Sequence, residues 1–170
     1  MHIFSDTEGL RIAVEMERRG ESFYRRAALV SRNSETVAML NALADDEVLH
    51  GREFTRLLEA ALARPTSVNE QYDDEISAYL TAIAADVVFP KGLMALRQAG
   101  FEDPRAVLMN AIASEKDSIL FYTELAQHAR DAHAKAVFAE ITRQERGHLT
   151  RLINKLDEYN RTHTQGQEET

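Results

Sequence analysis

Six residues of two types recur at one constant offset. Glu17, Glu47 and His50 return 98 positions later as Glu115, Glu145 and His148, and Tyr24 returns in the same way as Tyr122. Each half reads glutamate, then, thirty positions on, Glu-x-x-His. Together the halves offer four carboxylates and two imidazoles, the donor set of a carboxylate-bridged two-metal centre held between four helices. Within Glu-x-x-His the two side chains stand on neighbouring faces one helical turn apart. One metal can then take the imidazole while the glutamate bridges to a second metal. Each metal would own one histidine and one terminal glutamate, Glu17 or Glu115, and share Glu47 and Glu145. Carboxylate and imidazole donors suit iron or manganese and also accept zinc.

Such a centre needs long helices to position it, and the apolar pattern supplies them. The first stripe reads Leu10, Ala13, Glu17, Gly20, Tyr24, Ala27, and the second Leu40, Leu43, Glu47, His50, Phe54, Leu57. The third is Leu108, Ala111, Glu115, Ser118, Tyr122, Leu125, and the fourth Val137, Ile141, Glu145, His148, Leu152, Leu156. Steps of three and four mark one helix face, and each face is interrupted at mid-length by a glutamate. A buried carboxylate costs several kcal/mol unless it is compensated, so four at mid-core call for cations.

Four long helices follow. The first spans about Asp6 to Val30, with Ser5-Asp-Thr-Glu8 as a capping box. The second spans about Glu35 to Ala63, with Ser34 as the N-cap and Pro65 beyond its end. The third opens at Asp103-Pro104 and continues to about Arg130. The fourth runs from near Asp131 to about Tyr159. Turns near Arg32 and near Arg130 or Asp131 make two antiparallel hairpins. Glu17 and Glu47 lie equally far from the first turn, roughly 22 Å at about 1.5 Å per residue, and Glu115 and Glu145 are placed equivalently about the second. The expected fold is all-α: a four-helix bundle of two antiparallel hairpins joined by a long helical crossover connector. Residues 1–160 form one domain, with the connector at 64–103. The connector holds short helices at about Asp74 to Asp86 and another ending at Gly100, and is long enough for the hairpins to turn at opposite ends. Residues 161–170 are polar, without an apolar period, and are expected to form a disordered tail.

Three pairs of accessory residues recur with the ligands. Tyr24 and Tyr122 lie two turns beyond Glu17 and Glu115; they are either core tyrosines or hydrogen-bond donors to a ligand carboxylate. Asp46 and Gln144 precede the bridging glutamates and either orient the histidines or play a partly solvated structural role. Gly20 and Ser118, one turn from the terminal glutamates, would leave room for oxygen or peroxide. Glu21 and Asp117 point off the stripe and stay outside the ligand set.

Composition narrows the classes. The chain has 170 residues, enough for one domain with a sizeable core. The absence of cysteine removes disulfides, thiolate catalysis, iron–sulfur clusters and any rubredoxin-type iron centre from this chain. A net charge of −8 speaks against nucleic acid as a partner. The apolar runs are too short to span a bilayer, and the first residues lack the layout of a secretory signal, so a cytoplasmic protein without a membrane partner is expected.

The runs Glu17-Arg-Arg-Gly20-Glu-Ser-Phe23-Tyr24 and Glu115-Lys-Asp-Ser118-Ile-Leu-Phe121-Tyr122, the pairs Glu47/His50 and Glu145/His148, and Val88-Phe89-Pro90 of the connector resemble the rubrerythrin branch of the ferritin-like superfamily. The resemblance covers about residues 5 to 158. It implies a centre of two iron ions, often in a homodimer, that reduces hydrogen peroxide or oxygen with electrons from Fe(II) or from a separate donor protein, as a peroxidase or ferroxidase. The alternatives are a non-catalytic protein that stores or delivers iron, and a bundle in which zinc or manganese is only structural. Two features depart from the family's best-known peroxidases: they carry a Cys-ligated iron domain, and they have a further glutamate where this chain has Ser118. The second departure makes the site more similar to a bacterioferritin centre.

Overall fold

A computed structural model of the chain describes residues 4–63, 71–88 and 101–165. Five helices follow in order: α1 (Asp6–Val30), α2 (Ser34–Leu62), α3 (Asp74–Val88), α4 (Pro104–His128) and α5 (Ala132–Gln165). Among the described residues there is no strand, only one isolated antiparallel bridge between Ser5 and Gln71. The expected second connector helix, the one ending at Gly100, lies outside the described residues.

Local chemistry sets the helix ends. The Ser5 hydroxyl accepts from the Glu8 amide at 3.3 Å and starts α1. Asp103 caps α4, accepting from the Arg105 amide at 2.9 Å ahead of Pro104 in the first turn. Asp131 accepts from the Ala134 amide at 2.9 Å at the head of α5. Two expectations need correction. The cap of α2 is Asn33, not Ser34: its carboxamide oxygen accepts both the Thr36 amide (2.8 Å) and the Thr36 hydroxyl (3.0 Å), so Ser34 becomes the first helical residue. The polar stretch after Tyr159 does not leave the helix at once, because α5 continues to Gln165. Extending an existing helix fixes one residue per hydrogen bond gained, so no apolar period is needed. Here the His163 ring also stacks on Tyr159 with centroids 3.9 Å apart.

α1 pairs with α2 and α4 with α5, while α1 also touches α4 and α2 touches α5, closing a four-helix ring; α3 lies against α4 and α1. The hairpins turn at opposite ends. Asp6, at the start of α1, accepts the amides of Arg130 and Asp131 in the second turn. At the other end Phe101, just before α4, packs on Phe23 and under the Arg26 guanidinium.

The core is in two parts. One contains Leu10, Ala13, Phe54, Phe121, Tyr122 and Phe138. The other contains Phe23, Tyr24, Leu40, Leu43, Leu108 and Leu152. Along α1 the first cluster ends at Ala13 and the second begins at Phe23, so the layer around Glu17 lies between two apolar plugs.

Candidate metal centre

The polar layer is built from one residue of α1 (Glu17), two of α2 (Glu47, His50), one of α4 (Glu115) and two of α5 (Glu145, His148). All six are buried, from 1% exposure at Glu145 and His148 to 7% at Glu47. They form two overlapping groups, Glu17–Glu47–His50–Glu145 and Glu47–Glu115–Glu145–His148, in each of which the candidate donor atoms all lie within 4.8 Å of one another. Glu47 and Glu145 belong to both groups. His50 Nδ1 is 2.9 Å from Glu145 Oε1 and 3.4 Å from Glu17 Oε2. His148 Nδ1 is 2.8 Å from Glu145 Oε2 and within 3.6 Å of Glu47 and Glu115.

Buried polar atoms are nearly always hydrogen-bonded, and here the exceptions are informative. Glu17 Oε2, both carboxylate oxygens of Glu145 and the Nδ1 atoms of both histidines are buried without a hydrogen-bond partner. Close as they are, these atoms do not meet the directional requirement of a hydrogen bond. The outward-facing atoms of the layer are satisfied: His50 Nε2 lies 3.1 Å from Gln144 Oε1, and His148 Nε2 lies 3.1 Å from Asp46 Oδ2. With Nε2 donating outward, each Nδ1 can offer a lone pair inward once it gives up its proton. Outward atoms occupied and inward atoms bare is the arrangement that fits a pair of divalent cations.

Charge points the same way. Burial raises Glu47 well above the usual carboxylate range, with the neighbouring glutamates adding to the effect. Burial likewise takes Glu115 up to about 8, the Glu145 charge assisting and His148 opposing. Burial works against charge on the imidazoles, but the facing carboxylates prevail and hold His50 at about 11 and His148 at about 10. Burial would raise Glu145 too, yet the two imidazoles hold it at about 2. Without metal the layer therefore balances itself with protons. Metal must displace them, so affinity should fall as the pH is lowered and the ligands are reprotonated. In weakly buffered solution at neutral pH, metal uptake should acidify the medium by at least one proton from each imidazole; a pH indicator reads this directly.

The accessory residues act across the bundle. The Tyr24 hydroxyl of the first hairpin donates to Glu115 of the second, and Tyr122 of the second donates to Glu17 of the first at 2.5 Å. Burial raises both phenols, so they remain protonated donors. Asp46 sits with His148 and Gln144 with His50, again each in the opposite hairpin. Two supports escaped the sequence reading. Arg151 Nη2 donates to Asp46 at 3.2 Å, and Gln144 Nε2 donates to Glu140 at 2.9 Å. The Glu140/Gln144 spacing of four was the available signal for the second; nothing local signalled the first.

Gly20 differs from its expected role. A Cβ built there would lie 2.5 Å from Glu47 Oε2 and 3.0 Å from its carboxyl carbon. The space is filled by the Glu47 carboxylate and is not left for a small molecule. Gly20→Ala should accordingly split two readouts. The metal-free protein should change by no more than about 1 kcal/mol, helix propensity offsetting the cost of shifting the Glu47 side chain. Metal affinity should drop by an order of magnitude as Glu47 is pushed aside. Melting of the metal-free protein and chelator competition check the two halves. A cleft of about 360 Å³ between α1 and α2 reaches Glu17 and Glu47, with Glu21 on its wall, a residue the stripe pattern had set aside.

Comparison with known proteins agrees with this geometry. The family model described as Rubrerythrin matches residues 106–170. A solved structure described as a putative ferritin-like diiron-carboxylate protein from Thermotoga maritima is similar over 94% of this chain and 99% of its own. The two are 27% identical and superpose with a TM-score of 0.72. No curated protein sequence matches. No helix among the described residues is long and apolar enough to cross a membrane.

Proposed function

We propose that the buried layer of this chain, whose residues 106–170 match the Rubrerythrin model and whose fold is similar to that of a ferritin-like diiron-carboxylate protein, holds two iron ions and that the protein is an oxidoreductase. It would reduce hydrogen peroxide or oxygen with electrons from Fe(II) or a separate donor protein. The observation that carries this reading is the inward-facing set of partnerless donors: Glu17 Oε2, both oxygens of Glu145 and the two imidazole Nδ1 atoms. Glu17 and Glu115 would be terminal ligands, Glu47 and Glu145 the shared ones, and His50 and His148 one to each position. When bound, two ferrous ions supply the two electrons that, with two protons, convert hydrogen peroxide to two waters.

The chain's own groups provide the setting. The Tyr24 and Tyr122 hydroxyls hold one oxygen each of Glu115 and Glu17, and at Glu17 the other oxygen, Oε2, faces His50 Nδ1 at 3.4 Å. Asp46 and Gln144 fix the tautomer and tilt of the histidines. The apolar clusters on either side, with Phe54, Tyr122 and Phe138 in ring contact, exclude bulk water from the layer along the bundle axis. The cleft between α1 and α2 leaves a lateral approach for a small oxidant.

Stopped-flow mixing of anaerobic ferrous protein with peroxide tests the activity. Ferric absorbance in the near ultraviolet should rise within seconds, whereas an unchanged spectrum over minutes would rule out the oxidoreductase reading. Sizing by light scattering separates the storage reading: a cage of 24 subunits would favour iron storage, and a homodimer the enzyme.

A further inference from the structure

Building on the diiron reading above, we infer that the two metal positions are unequal. The position formed by Glu47, Glu115, Glu145 and His148 keeps its ion. The position formed by Glu17, Glu47, His50 and Glu145 is the exchangeable one, filled and emptied through the cleft between α1 and α2.

The direct donors are the same in type at both positions, so any difference must come from what surrounds them. His148 Nε2 faces a carboxylate, Asp46, at 3.1 Å. His50 Nε2 faces a neutral amide oxygen, Gln144, at the same distance. A carboxylate behind an imidazole makes its other nitrogen a stronger donor to a metal, and losing such a partner typically costs 10–100-fold in affinity. Arg151 pins Asp46 in place at 3.2 Å and offsets part of its charge without removing it as an acceptor. Gln144 in turn donates to Glu140, an acid one hydrogen bond further from the ring.

The second observation concerns access. The cleft that reaches Glu17 is lined by Gly51, Glu21 and Thr55. A Cβ at Gly51 would already be 3.4 Å from the Glu17 Cβ, so a larger residue there would fill the approach. At the same offset of 98, the second hairpin carries Leu149, Ile119 and Ile153, and Leu149 packs against the apolar cluster. At these three positions the first hairpin is either smaller or more polar than the second, which carries a bulky apolar residue at each.

The test is an anaerobic titration of the full-length metal-free chain with Co(II), followed by its absorption bands and by chelator competition, then repeated with Fe(II). Two steps are expected, separated by about tenfold or more. Asp46→Asn should weaken the tighter step by about 10–100-fold and leave the weaker one unchanged. Gln144→Glu, which adds the missing charge, should tighten the weaker step, and it carries the test if Asp46→Asn does not fold. The double variant Glu21→Ile with Thr55→Ile should slow release of the weaker ion to chelator with its affinity unchanged. Two equal steps, an Asp46→Asn effect shared evenly between them, or release unaltered by the double variant would overturn the inference. Failure of the wild-type chain to bind any cation would instead overturn the diiron reading, and this inference with it.

Discussion

Glu47→Gln should strip the protein of its cations while leaving the metal-free fold intact. Glu47 belongs to both groups of converging donors, so its loss removes a ligand from each position. In the metal-free state burial and the neighbouring acids hold Glu47 well above the usual carboxylate range. The protonated form is favoured there, and glutamine copies the shape and charge of that form. The wild-type protein should melt higher with metal than without, because a ligand at a thousand times its Kd adds about 4 kcal/mol. In the variant the two melting curves should coincide near the wild-type metal-free value. Elemental analysis and calorimetry together decide it: retention of two cations would show that Glu47 is not shared.

Glu145→Gln is the informative contrast. Glu145 is also in both groups, but it stays ionised between two imidazoles, held at about 2. Removing its charge leaves His50 and His148 facing a neutral amide in a buried layer. Uncompensated buried charge costs about 3 kcal/mol or more, so this variant should destabilise the metal-free protein as well as abolish metal binding. Two glutamates of one type, both proposed as bridges, should therefore differ in their effect on the metal-free fold. Equal effects would refute the charge arrangement described above.

The second large effect is expected far from the metal layer. Asp6, only 6% exposed, accepts the amides of Arg130 (2.9 Å) and Asp131 (2.7 Å) and the Tyr72 hydroxyl (2.5 Å). It ties the start of α1 to the turn of the second hairpin and to the chain entering α3. Asp6→Ala would leave the buried Tyr72 hydroxyl and the two part-buried amides without their acceptor. At 1–3 kcal/mol for a buried unsatisfied group, with less for the two amides that water can reach, the loss should be about 3 kcal/mol. For a chain of this length that corresponds to about 6–12 °C in Tm. Asp6→Asn can still accept the two amides, so it should fall midway. Denaturant and thermal unfolding of the two variants check the order, and an Asp6→Ala protein as stable as wild type would exclude the clamp.

Residues show where reading from sequence stops. The bounds of α1 are as expected, Asp6–Val30, because an N-terminal cap and an uninterrupted apolar period both act within a few residues. The convergence of Glu17, Glu47, Glu115 and Glu145 was legible because helix rise is constant and both hairpins turn midway between their glutamates. The α2 cap was off by one residue, since Asn33 and Ser34 are both capping types and only the backbone geometry at Asn33 selects between them. The end of α5 was missed because apolar period marks where a helix packs, not where it must end. Gly20 was assigned open space because the spacing along α1 says nothing about the Glu47 carboxylate arriving from α2.

The chain by itself determined which faces are buried, which donors lie at mid-length and that both halves carry the same set, since these follow from periodicity and a constant offset. Only the tertiary structure decided that Tyr24 holds Glu115 and not a ligand of its own hairpin, that Asp46 backs His148 while Gln144 backs His50, and that Asp6 closes the second turn. Those pairings depend on how two antiparallel hairpins dock and on side-chain reach of a few ångströms across the bundle, quantities that no spacing along one helix contains.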